Sequence, residues 1–151
     1  MEQKELLFDA YMSDYTYRIN IPDDFSGYIK RLPKKLRYYV SRSEKELSKL
    51  GKISLYSMEN LNELDGLCAV YFNLSRDSFK RRNMQSAFED KAYCAFFKEM
   101  VARFHSAGYL KVNALKLDSR IIAIHFGYSL KNNFNYLYPS FDMDFSSFNP
   151  G

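Results

Sequence analysis

Residues 109–151 read YLKVNALKLDSRIIAIHFGYSLKNNFNYLYPSFDMDFSSFNPG, and this stretch decides the fold. Residues 109–117 are extended and apolar until Asp118-Ser119 breaks them. Residues 120–130 resume with the β-branched Ile121, Ile122 and Ile124, and Lys131-Asn132-Asn133 turns the chain again. Residues 134–138 then alternate Phe, Asn, Tyr, Leu, Tyr, and a polar, aromatic-rich loop follows as far as Pro150-Gly151. Short polar turns between runs rich in β-branched and aromatic residues predict an antiparallel meander of three strands. A sheet of this kind buries at least one face, and helices must cover it.

The upstream residues supply those helices. Residues 15–21 alternate and read as a strand ended by Pro22, after a lead-in over residues 1–14. Asp23 and Asp24 offer an N-cap. Phe25, Tyr28, Ile29, Leu32, Leu36, Val40, Leu47 and Leu50 then recur at helical spacing. Pro33 interrupts them, which predicts a short helix, a break, and a second helix with Pro33 at its first turn and Gly51 as its C-cap. Residues 53–58 form a short strand candidate, and residues 59–73 an amphipathic helix despite Gly66. Residues 75–90, SRDSFKRRNMQSAFED, are polar and basic with few core anchors. They read as a loop, either a substrate lid or a solvated connector. Phe88, Ala92, Ala95, Phe96, Met100 and Phe104 form the stripe of a further helix, capped by Gly108. The expected class is α+β: a mainly antiparallel sheet flanked by helices, in one domain over residues 1–151.

At 151 residues the chain can bury a core without staples, and a 46% apolar fraction argues against disorder. No run approaches the ~18 apolar residues of a membrane helix. The N-terminus lacks a signal-peptide core, and two cysteines are too few for a disulfide framework. A cytoplasmic location is the expectation. Thirteen Phe and thirteen Tyr with no Trp is a skew; tyrosines either half-bury in strands or line polar grooves. The net charge of +4 is concentrated at Lys30, Arg31, Lys34, Lys35, Arg37, Arg42, Lys45 and Lys49. That cluster is either a solvated helix face or a grip for phosphates.

Glycine-rich phosphate loops, nucleophile elbows and zinc-binding helices are absent, and Cys68 and Cys94 are far from any metal-ligand spacing. Of the two histidines, His105 lies near a helix end, whereas His125 sits within the isoleucine-rich strand. His125 is either a hydrogen-bonded structural residue or the best-placed base in the chain. Phe134, Tyr136 and Tyr138 are expected to share one face of the next strand, with Asp142 and Asp144 following. A base, two phenols and two carboxylates near one sheet end can accept a proton from an amine and return one to a leaving group. His125 is the expected base, Tyr136 or Tyr138 the acid, and Asp142 the residue that positions the acceptor.

The order FSGYIKRLPKKLRYYVSRSEKELSKLG, then SRDSFKRRN, then residues 92–151 resembles the CelD- or BioF-like acetyltransferase domains. These belong to the acyl-CoA N-acyltransferase (GNAT) superfamily and are close to the FemAB-type transferases. The likeness rests on the spaced basic helix, a Ser-x-Lys-like element at Ser78-Phe79-Lys80, and the hairpin residues Leu117-Asp118 and Ile122-Ala123. It continues through an aromatic-Asp pair at Phe141-Asp142 and a closing Asn149-Pro150-Gly151. Ser119 and Asn149 stand where Gly and Ser are usual. The resemblance implies transfer from acetyl-CoA or another acyl-CoA to an amine on a small molecule or sugar. It also implies substrate contact at Lys80 and a cofactor-binding turn at Asn149, Pro150 and Gly151. A FemAB-type reaction would instead take a charged tRNA, held by the basic helix, and a non-catalytic binding module is the third reading. In such domains Pro-Gly opens the segment leading to the helix that holds the pyrophosphate. The expectation is therefore that residues 1–151 represent the N-terminal and central part of the domain and do not catalyse transfer alone.

Overall fold

The computed structural model describes residues 19, 20 and 24–150. The predicted strand over residues 15–21 and the lead-in before it therefore lie outside the described residues, as does Gly151. The chain divides into two compact units, residues 1–37 and 38–151.

In the first unit Asp24 caps α1 (Phe25–Arg31), its carboxylate accepting the Gly27 amide. The helix stops before Pro33, as predicted, and α2 (Lys34–Ser48) starts with Arg37 N donating to the Pro33 carbonyl at 3.0 Å. Leu47 is the buried residue of α2; Leu36 and Val40, placed on the apolar stripe by spacing, are exposed.

The second unit holds a four-stranded antiparallel sheet in the order β1 (Ile53–Ser57), β2 (Leu110–Leu117), β3 (Arg120–Leu130) and β4 (Asn133–Phe141). The meander is present as expected. Lys131 and Asn132 both take left-handed backbone (φ 48° and 62°), the type I′ geometry that matches strand twist in a two-residue hairpin. Asp118 (φ 53°) turns the β2–β3 hairpin, and its carboxylate accepts the Lys52 amide at 2.9 Å. Gly51 is not the left-handed cap of α2. It lies so close to the Asp118 carboxylate that a side chain there would collide with it, which explains the glycine.

Between the strands run α3 (Leu64–Arg81) and α4 (Lys91–Ser106), the latter closed by Gly108 at φ 74°. Two expectations are corrected here. Residues 75–81 are the last two turns of α3, so the predicted loop shrinks to residues 82–86 and a 3-10 turn, Ala87–Glu89. The stripe of α4 is also corrected in part: Phe97 and Val101 are buried and Met100 and Phe104 pack half-buried beside them, whereas Phe96 is 60% exposed.

One sheet face packs on these helices. Leu64, Cys68, Tyr71 and Phe72 of α3 and Phe97 and Val101 of α4 meet Val112, Ala114, Ile124 and Phe126 of the sheet. A second cluster lies around Leu47, Leu117 and Ile122, joined by Phe145 and Phe148 from a 3-10 turn, Met143–Phe148.

Candidate active site

One irregularity in the sheet sets the site. The β3–β4 register jumps between His125 and Phe126: His125 faces Pro139, Phe126 faces Leu137, and Tyr138 has no partner on β3. Tyr138 takes φ 46°, a strained conformation for a bulky residue. This β-bulge re-aims the side chain. The Tyr138 ring meets Phe97 of α4 edge-on at 5.3 Å. Phe134 and Tyr136 instead meet His125, at 5.6 and 4.7 Å. The expectation that Phe134, Tyr136 and Tyr138 share a face is therefore corrected. Tyr136 lies with His125, and Tyr138 lies on the helix side.

Beside the bulge is a cavity of about 470 Å³. One wall is a stripe of α3 and its C-cap: Tyr71, Ser75, Ser78 and the capping Arg82 follow one another at helical spacings of four, three and four. The opposite wall is Tyr138, Pro139, Ser140 and Phe141, with Met143 just beyond, and Ser86, Phe88 and Tyr93 close the end. Ser75, Ser86 and Ser140 are buried, and the Ser75 and Ser86 hydroxyls lie 3.3 Å apart. Arg76 fastens this end, donating from Nε to the Phe88 carbonyl at 2.8 Å. Burial pushes the Tyr71 phenol well above its ordinary range, so it stays protonated.

On the opposite sheet face a polar row crosses three strands. Ser57, Asn113 and His125 are register partners, the Ser57 hydroxyl donates to Asn113 Oδ1 at 2.6 Å, and Asn113 Nδ2 lies 3.4 Å from His125 Nε2. Burial lowers the His125 pKa below that of an ordinary histidine, favouring the neutral ring. A depressed folded-state value means the unfolded chain binds the proton more readily. His125 therefore costs no stability above pH about 6.5 and a growing amount as the pH falls below it. Thermal melts at pH 7.5 and 5.0 should show a smaller acid loss in His125→Gln than in the parent; an unchanged gap would refute the assignment.

The remaining predicted positions are dispersed. Lys80 is exposed and outside the cavity lining, although Ser78 and Phe79 beside it line the wall. Asp142 is buried, paired with Arg120, and its carboxylate accepts the Asp144 amide at 3.1 Å, which caps the 3-10 turn. Arg81 links that turn to α3, contacting Asp144 at 2.7 Å and Asp77 at 2.9 Å. Asn149 ends the turn in left-handed backbone, φ 49°, and Pro150 follows. Sequence reasoning put Ser75, Arg82 and Ser86 in the segment read as a lid or connector and Ser78 in the Ser-x-Lys-like element, but gave none of them, nor Ser140, a place in the site. Their signal is the 4-3-4 spacing, which carries the α3 stripe past its last large apolar residues.

A family model described as Acetyltransferase (GNAT) domain matches residues 34–151. The chain belongs to this GNAT acetyltransferase family. Its helices and four-stranded antiparallel sheet are those of a GNAT-like α+β fold, and acyl transfer is the general function of the domain. No match was found among curated proteins. Among the described residues of this GNAT domain, no helix is long and apolar enough to cross a membrane.

Proposed function

We propose that the protein moves an acyl group from an acyl-CoA thioester to an amine on a small metabolite or sugar, within the cavity beside Tyr138. The bulge carries this reading. It takes Tyr138 out of register with β3 at the wall of a cavity large enough for a small ligand. In the transfer the amine nitrogen attacks the thioester carbonyl carbon, and the carbon–sulfur bond breaks. The sulfur leaves as a thiolate and the nitrogen loses a proton, giving an amide and a thiol.

A main-chain N–H at the bulge holds the developing oxyanion, and the Tyr138 hydroxyl protonates the thiolate. Among the described residues the cavity lining contains no carboxylate or imidazole, so the amine proton leaves through water. Asp142 acts at one remove: with Arg120 it fixes the turn that carries Met143 into the lining. The phosphates of the donor are assigned beyond that turn, at Asn149 and Pro150, as the resemblance implies. The two free cysteines suit a reducing cytoplasm, where we place the protein.

A second reading puts the chemistry on the other face, with His125 as base and Tyr136 as acid. The 4.7 Å contact between their rings and the neutral imidazole favour it. Incubation with acetyl-CoA and a panel of amines and amino sugars should give amine-dependent thiol release. His125→Gln should retain it. Thiol release no faster with any amine than without one contradicts both readings, and loss of turnover in His125→Gln selects the second.

A further inference from the structure

Among the described residues Arg82 is the one charged residue lining the cavity, and its setting differs from that of its neighbours. Arg81 is neutralised by Asp77 and Asp144, and Arg76 is turned into the junction between α3 and Phe88. Among the described residues no carboxylate forms an ion pair with Arg82, yet its side chain is held. Nε donates to the Ser78 carbonyl at 3.1 Å, Nη2 lies 3.3 Å from Ser78 Oγ, and the guanidinium stacks over the Phe79 ring at 4.6 Å. These contacts occupy the Nε side of the fork. Nη1 and the second proton of Nη2 are left as a pre-oriented pair of donors, the geometry that binds a carboxylate with two parallel hydrogen bonds. Behind Arg82 the cavity is walled mainly by rings and apolar chains, including Phe88, Tyr93, Phe141 and Met143. Among the described residues no lining carboxylate is available to attract an ammonium group.

We infer that Arg82 selects the acceptor by its carboxylate, and that the acceptor class is an amino acid with an apolar or aromatic side chain. The carboxylate pairs with the guanidinium, the side chain enters the apolar end, and the amine is left near Tyr138. This inference rests on the proposed acyl transfer in the same cavity. A phosphate of the donor is the other source of an anion for Arg82, and donor and acceptor kinetics separate the two.

L-Phenylalanine and phenethylamine, which differ only in the carboxylate, are the probes. Hydrogen bonds to a charged group contribute about 1.5–3 kcal/mol, so the amino acid should have a KM roughly tenfold lower or better. Arg82→Gln should abolish that ratio and leave the KM for acetyl-CoA unchanged. A ratio near one in the parent protein, or a variant that raises only the acetyl-CoA KM, overturns the assignment. Calorimetric binding of L-phenylalanine without donor separates this inference from the transfer reading. Binding that needs Arg82 in a protein without turnover upholds the carboxylate site and refutes the transferase reading. Binding that is absent, or indifferent to Arg82, refutes the site.

Discussion

Replacing Phe97 with alanine is expected to lower folding stability by about 3–5 kcal/mol, enough to remove much of the stability of a domain this size. Phe97 is 1% exposed and sits at the centre of an aromatic cluster. Its ring lies 5.4 Å from Tyr71, 5.4 Å from Phe88, 5.3 Å from Phe126 and 5.3 Å from Tyr138. A truncated side chain loses those contacts and leaves a void between two helices and the sheet. The same change at Phe96, which is 60% exposed, should stay within about 0.5 kcal/mol. Denaturant titration of the two variants measures the phase of α4 directly. Equal losses would mean that the helix is rotated from the orientation described.

The hairpins were legible because their turns depend on local chemistry: Asp118, Lys131 and Asn132 adopt left-handed backbone between runs of β-formers. The Pro33 break was legible for the same reason. The second half of α3 was not. Its inward positions Ser75 and Ser78, with Arg82 at the cap, face a cavity, so the apolar period that marks a helix fades where the site begins. Spacing on α4 gave the element but not its phase, since Phe96 and Phe97 are adjacent and packing against Tyr71 and Phe126 decides between them. The bulge left little trace. Tyr136-Leu137-Tyr138 alternates like a regular strand, and only Pro139, which cannot donate to a ladder, hints at an irregularity.

Tyr138→Phe should reduce turnover about 10²–10⁴-fold, the usual contribution of a positioned acid. The ring that packs on Phe97 is retained, so KM values and melting temperature should change little. Tyr136→Phe serves as the control, because Tyr136 lies on the His125 face. If Tyr136→Phe is the crippled variant and Tyr138→Phe turns over normally, the proton donor lies on the other side of the sheet.

The location of the reacting thioester is tested most directly by amide chemical-shift mapping of the 151-residue chain with acetyl-CoA. The largest shifts are predicted at Tyr138, Ser140 and Phe141 along the bulged strand and at Ser78 and Phe79 across the cavity. Shifts centred instead on Ser57, Asn113 and His125, or no shifts at millimolar acetyl-CoA, would contradict the placement of acyl transfer at the bulge.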